Sequence, residues 1–429
     1  MNLARFCRRG FFQNVMVVMT STGLAQLFTI CFSPVISRLY DPGDFAVYGT
    51  FLSVTGVLSA VVTLQYSEAL MLPGKHEEAA ALFWAAGLSA VTMTLLLSIP
   101  WFLFPSWWLT LFKIPQLNGW LWLVPLAALV TGFNQTLTAW CARHKAFRRA
   151  ATAQVARSLT ANSAQTVGGA GGIGAGGLIG GGLLGDLLAN LGLFFWIART
   201  DGPALHAGAH RQQIVAAAHA HRDFALYSTP QNLLNAISQG APVVLLIYYF
   251  GAAVGGTYAF AIRVLELPIN FVLTSVRQVL FQKLSEVHNS GGDLAALFAK
   301  GTGMLLAMAL GPTALGLVFA PRLFALVFGS EWSVAGEYAR WLLIWFLGMF
   351  CNLPAGLLAR ILRLQRNLLF FDIALLILRM AVLIGGGTFL SPMRTIALFS
   401  LVGATFNALL ILYVWRVLKS RTRSAAPTP

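Results

Sequence analysis

This chain is short of charge. Of its 429 residues only 10% are Asp, Glu, Lys or Arg, while 57% are apolar, and the mean hydropathy is +0.73. No soluble domain of this size has that balance, so the chain reads as a polytopic membrane protein. Acidic residues are the scarcer sign, 14 against 29 basic, for a formal net charge of +15. Such an excess could suit nucleic acid, but the basic residues lie in short loops between apolar runs. That distribution argues against a nucleic-acid partner and matches the positive-inside pattern. Cysteine is rare: Cys7, Cys31, Cys141 and Cys351 have neither metal-ligand nor disulfide-framework spacing. His206, His210, His219 and His221 stand close in sequence without acidic or cysteine partners, so no metal site is expected. Long hydrophilic loops are missing too. With no nucleophile–base–orienter set in an extramembrane segment, the chain does not read as an enzyme and calls for no cofactor.

What the chain does have is apolar runs long enough to cross a bilayer, about twelve of them. They fall near 12–36, 44–68, 79–103, 119–141, 150–171, 175–198, 223–250, 256–280, 301–320, 334–358, 367–390 and 394–416. The expected fold is all-α. One set of loops holds Arg5, Arg8, Arg9, Lys75, Arg143, Lys145, Arg148, Arg149, Arg199, Arg211, Arg222, Lys283, Lys300, Arg360, Arg363, Arg366, Lys419, Arg421 and Arg423. The other holds little beyond Arg38, Lys113, Arg322 and Arg394. The bias puts both termini in the cytoplasm. Arg8 and Arg9 before Phe11 and Phe12 look faintly like a twin-arginine export signal. The apolar run continues past signal length without a cleavage pattern, so they are expected to flank the first span.

The sequence repeats itself. Phe104-Pro105 and WWLTLF after the third span match Ala320-Pro321 and RLFALVF after the ninth. CARHKAFRR after the fourth matches LARILRLQR after the tenth, and Pro34-Val35 leads to Tyr48 much as Pro242-Val243 leads to Tyr258. The offset is about 210 to 217 residues, or six spans, which implies two parallel copies. The expected organisation is a six-helix bundle over 1–200, a cytoplasmic linker over 201–222, a second bundle over 223–418 and a cytoplasmic tail over 419–429. Between spans five and six, residues 168–185 are rich in glycine. A phosphate-binding loop would need a strand before it, so close helix packing around a tight turn is expected.

Intramembrane polarity is where function would lie. In the eighth span Arg263, Glu266, Asn270, Thr274 and Arg277 follow at steps of 3, 4, 4 and 3, one stripe down one helix face. Glu266 at i+3 can pair with Arg263; the bland alternative is a structural ion pair. Shorter stripes run through the first span (Thr22, Gln26, Thr29, Ser33), the fourth (Thr131, Asn134, Thr138) and the seventh (Gln231, Asn235, Ser238). Each alone would be helix–helix glue; together they favour a common polar lumen. Asp372 and Arg379, seven apart, share a face of the eleventh span, and Asp186 and Asn190 share one in the sixth. A lumen with more cations than anions suits a phosphate-bearing substrate.

SPVISRLYDPGDFAVYGTF (33–51), QYSEALMLP (65–73) and the stretch from Arg222 to Glu286 resemble the polysaccharide-export flippases of the multidrug/oligosaccharidyl-lipid/polysaccharide (MOP) superfamily. The resemblance implies two six-helix bundles around a central cationic cavity. It also implies export of an undecaprenyl-diphosphate-linked oligosaccharide across the bacterial inner membrane by alternating access, for O-antigen or exopolysaccharide synthesis. Substrate-binding candidates are Arg263, Glu266, Asn270, Arg277, Gln231, Asn235, Gln26 and Glu68. Coupling candidates, for a proton or sodium gradient, are Glu266, Asp372, Arg379 and Asp186. Partners would be the lipid-linked oligosaccharide, membrane lipids and other polysaccharide-assembly membrane proteins. The chain departs from the family at Gln65, where members often carry Arg before the Tyr-Glu phrase. A multidrug cation antiporter of the same superfamily would want an acidic lumen. A membrane-embedded polymerase or glycosyltransferase would want a long periplasmic loop.

Overall fold

The computed structural model describes residues 23–290, 292–362 and 364–424. Arg5, Arg8, Arg9, Thr22, Arg363 and the tail from 425 onward lie outside the described residues, as do the side chains of Thr274, Arg421 and Arg423. Every described element is helical. The first half of the chain contains α1 (Gly23–Leu39), α2 (Pro42–Val62), α3 (Tyr66–Ala69), α4 (His76–Leu103), α5 (Pro105–Phe112), α6 (Leu123–Arg143), α7 (Phe147–Ala170), α8 (Ala175–Ala207) and α9 (Arg211–Ala220). The second contains α10 (Thr229–Phe250), α11 (Ala252–Asn289), α12 (Leu294–Phe328), α13 (Ser333–Cys351), α14 (Leu353–Ile361), α15 (Gln365–Phe389) and α16 (Pro392–Ser424).

Among the described residues, nine helices are long and apolar enough to cross a membrane, so this is a multi-pass membrane protein. The expected first, fourth and fifth spans coincide with α1, α6 and α7 and are not among the nine. The first is described only from Gly23. The other two, at 21 and 24 residues, are long enough, but polar side chains dilute their apolar character. Those side chains bond to neighbouring helices, as described below.

Local chemistry sets several boundaries. α2 begins with a reciprocal capping box: the Asp44 amide donates to Asp41 Oδ1 at 2.8 Å and the Asp41 amide to Asp44 Oδ2 at 3.3 Å. Pro42 occupies its first turn, where no amide donor is needed. Before α10, Phe224–Ser228 forms a π-helical turn. The Thr229 amide closes the turn on the Phe224 carbonyl, which also accepts from Thr229 Oγ1 at 3.2 Å, and Pro230 follows in the first turn of α10, where no amide donor is needed.

The glycine run makes the α7–α8 hairpin, as its composition led us to expect. Gly174 turns the chain at φ +64. Beyond it the helices nearly touch: a Cβ on Gly181 would stand 2.6 Å from the Gln165 amide nitrogen, and one on Gly168 would stand 2.8 Å from the Gly177 Cα. Gln165 Nε2 donates across the seam to the Leu178 carbonyl at 3.0 Å.

The chain divides into two compact units, Met1–Gly256 and Thr257–Pro429. This division does not fall at the 201–222 linker. The seventh span, α10, assigned by sequence to the second bundle, packs with the first unit. Its Gly240 lies against Ser53 of α2, and Gly256 meets the Pro42 carbonyl so closely that a Cβ would stand 1.7 Å away. Nor does the linker stand apart. A Cβ on Gly208 would come 2.5 Å from Ala80 Cβ, Trp84 Nε1 donates to the Leu205 carbonyl at 3.0 Å, and Tyr66 Oη donates to Ala218 O at 3.3 Å. His221 and Glu78 meet at 3.3 Å. The segment is a strut bound to α3 and α4.

Candidate functional site

In the second unit, the upper part of α11 turns Tyr258, Phe260 and Ala261 into the core. Phe260 packs on Trp332 and Phe328, with ring centroids 4.0 and 5.2 Å away. The polar stripe points the other way: Glu266, Asn270 and Arg277 are exposed and Arg263 is half-buried. Among the described residues Glu266 forms no ion pair, so the i, i+3 spacing to Arg263 is not used for one. An exposed polar face on a helix that must cross lipid needs water, a lumen or a ligand against it.

In the first unit, α10 exposes Gln231, Asn235 and Gln239 in steps of four, with Gln239 Nε2 on Asn235 Oδ1 at 3.4 Å. Its other face, with Val243, Leu246 and Ile247, is buried. Gln239, next to Ser238 of the sequence stripe, was missed there. Glu68 is exposed on the short α3. Gln65 is 5% exposed with φ +56, and its Nε2 donates to the Ala60 carbonyl at 2.9 Å; it closes the end of α2.

Several polar residues expected to line a lumen serve as glue. Thr29 Oγ1 meets Ser158 Oγ at 3.0 Å and Asn162 Nδ2 donates to Thr29 Oγ1 at 3.2 Å, tying α1 to α7. Ser33 returns to its own helix through the Thr29 carbonyl at 2.7 Å. Gln26 in the same stripe is half-buried, and its Oε1 has no hydrogen-bond partner among the described residues. Asn134 Nδ2 donates to Asn190 Oδ1 at 2.7 Å, joining α6 to α8. The second unit has a matching pair, Asn352 Nδ2 to Asn407 Oδ1 at 2.8 Å. The two pairs stand about 217 residues apart, the offset of the sequence repeat. Asn352 and Asn407 were missed from sequence; their offset from Asn134 and Asn190 is the signal that could have found them.

The coupling candidates divide. Asp186 of α8 is bonded side-on to Arg157 of α7, through Nε to Oδ1 and Nη2 to Oδ2, the latter at 3.2 Å. A carboxylate held by a fork of this kind is neutralised within its own hairpin. Arg157 was missed from sequence; as the one charged residue deep in the fifth span, it called for a partner at the depth of Asp186. Asp372 and Arg379 are not brought together. Asp372 is exposed, whereas Arg379 is 5% exposed in the core of the second unit. Seven residues put them about 10.5 Å apart along the helix; α16 packs at both levels, on Phe371 through Phe406 and Tyr413 and on Arg379 through Phe399, and Trp345 of α13 adds cover at Arg379. The Arg379 guanidinium lies over the Trp345 and Phe399 rings, 4.3 and 4.6 Å from their centroids.

A family model described as polysaccharide biosynthesis protein matches residues 35–337. None of the curated proteins matches this chain. Among solved structures, the inward-facing conformation of a multidrug resistance MATE family transporter of the MOP superfamily aligns at TM-score 0.77 and 13% identity. That alignment covers 96% of this chain and 100% of the other. Lipid II flippase MurJ, in an inward closed conformation, aligns at 0.75 and 12%, covering 93% and 87%. A MOP superfamily transporter from Pyrococcus furiosus, described as having a binding pocket of reverse polarity, aligns at 0.59 and 11%, covering 98% and 96%. At these identities the likeness is one of fold.

Proposed function

From the premise that this chain belongs to the polysaccharide biosynthesis protein family and has the fold of MOP-superfamily transporters, we propose that it flips a lipid-linked oligosaccharide. The cargo would be an undecaprenyl-diphosphate-linked repeat unit, carried from the cytoplasmic to the periplasmic leaflet of a bacterial inner membrane by alternating access. Surface polysaccharide, O-antigen or exopolysaccharide, is the product it would serve, alongside other assembly proteins of that membrane. The observation that carries the reading is the α11 stripe: Arg263, Glu266, Asn270 and Arg277 turned away from the unit's own core.

In this reading Arg263 and Arg277 meet the diphosphate, since a planar guanidinium matches phosphate oxygens. Asn270, Asn235, Gln231, Gln26 and the exposed Glu68 take sugar hydroxyls. Glu266 and Asp372 tune the charge or carry a coupling proton or sodium ion. Asp186, bound to Arg157, is left out of that coupling.

The test is reconstitution. Purified protein in proteoliposomes loaded with an undecaprenyl-diphosphate oligosaccharide should move the sugar to the opposite leaflet, read as loss of protection from an impermeant lectin. Protein-free vesicles should not. Absence of that movement, with gradient-driven efflux of an organic cation in the same vesicles, would replace this reading with a drug antiporter.

A further inference from the structure

Arg379 is a permanent charge in a place that does nothing obvious to neutralise it. It is 5% exposed, and its Nε and Nη2 have no hydrogen-bond partner among the described residues. No ion pair of the described residues includes it. Around it, among the described residues, stand the faces of Trp345 on α13 and Phe399 on α16, the backbone of Gly403 and the buried phenol of Tyr258 on α11. Two aromatic faces offset part of the desolvation of a cation but satisfy none of its N–H donors.

The identity of the two orphan atoms matters. Nε and Nη2 form the side-on edge of a guanidinium, the edge that grips a carboxylate or phosphate with two parallel bonds. Arg157 uses that same pair of atoms on Asp186. The internal repeat makes the comparison sharper. The matched asparagines, Asn190 and Asn407, align α8 with α16. In that register Asp186 corresponds to Gly403. Arg379 Nη2 lies against Gly403, where an added Cβ would stand 2.4 Å from it. The second unit therefore presents an arginine edge at the repeat position of the first unit's carboxylate, and that position has no side chain. Ser400, one turn earlier on the same face of α16, is fully buried, and its Oγ is also without a partner.

We propose that Arg379, with Ser400, is an oxyanion-binding site of the second unit, held by the Trp345 and Phe399 rings until an anion arrives. Its ligand is a phosphate group, and given the substrate reading above, on which this identification rests, that phosphate belongs to the diphosphate of the lipid-linked cargo. Nη2 is packed on Gly403, so binding needs the guanidinium to swing from between the rings or α15 and α16 to part. The site is thus filled in a different conformation from the one seen.

The probe is inorganic pyrophosphate, added to the detergent-purified full-length protein against sodium chloride of equal ionic strength, with melting temperature as the readout. Wild type should melt higher with pyrophosphate. Arg379→Met should melt at or above wild type without it, because an unsatisfied buried charge is gone, and should lose the Arg379-dependent part of the shift. Arg379→Lys keeps the charge without the fork and should lose most of that part too. The same loss should appear when Arg379→Met is added to Arg263→Ala, which separates the two arginines. A wild-type shift that survives in both Arg379 variants overturns the site, as does a wild type with no shift. If Arg379→Met cannot be recovered folded, the Lys variant decides alone. Pyrophosphate binding through Arg379 without flipping in proteoliposomes would refute the cargo assignment and leave the oxyanion site standing. Flipping by a protein whose Arg379 ignores pyrophosphate would refute only the site.

Discussion

Arg157 and Arg379 occupy helix pairs that the repeat makes equivalent, α7 with α8 and α15 with α16, and the two are treated in opposite ways. Arg157 has a side chain 53% exposed and yet is given a carboxylate. Arg379 is buried among aromatic rings and is given none. Stability alone would suggest the reverse allocation, because a half-exposed guanidinium gains little from a partner and a buried one loses much without it. The lesson is that the two units share a scaffold but not a task. Polar residues of α1, α6, α7 and α8 bond to one another and close the first unit's seams. In the second unit Glu266, Asp372 and Arg379 form no ion pair among the described residues.

The strongest way to break this contrast is to place the first unit's carboxylate in the second. Gly403→Asp and Gly403→Ala both add a Cβ that must displace Arg379 Nη2 and press on Trp345 Cδ1, 2.6 Å away. The aspartate is the larger of the two, but it also supplies the ion pair. We expect Gly403→Asp to be more stable than Gly403→Ala by about 3 kcal/mol, the worth of completing a buried pair, and to abolish the pyrophosphate response and export. Thermal unfolding in detergent reads the first and surface polysaccharide the second. An aspartate variant less stable than the alanine variant would mean that the Arg379 edge does not face Gly403 as described. The smaller effect is the converse change. Asp186→Asn frees the Arg157 edge in a half-exposed setting, so it should cost about 1 kcal/mol or less and create no pyrophosphate response. A new Arg157-dependent shift in that variant would show that burial is not what distinguishes the two arginines.

Much of the scaffold was legible in the sequence because hydropathy and glycine content act locally. Each of the expected spans, over its described residues, coincides with a helix, and the run from Gly168 to Gly185 makes the tight hairpin its composition implies. The α11 stripe was legible for the same reason: a step of three or four residues is a property of one helix. What was not legible depends on which helix meets which. The seventh span follows α2 into the first unit through Gly240 and Gly256, and no pattern within α10 announces that. Thr29 and Asn134 look like lumen residues until Ser158 and Asn190 appear beside them. Asp372 and Arg379 share a face by spacing, yet Arg379 is buried against Trp345 of α13 and Phe399 of α16 while Asp372 is exposed. Arg379 itself was expected in the lumen and stands in the core of its unit.

The central claim is that the α11 stripe handles substrate and is not a structural ion pair. Arg263→Ala and the double variant Arg263→Ala/Glu266→Ala decide it, with exported polysaccharide and membrane abundance measured in the same cells. The account predicts normal abundance and lost export in both, because the diphosphate loses its guanidinium in each. If Arg263 served only to neutralise Glu266, the single variant would leave a carboxylate unpaired and fall in abundance, and the double variant would recover abundance and export together. Recovery of export in the double variant would contradict the account.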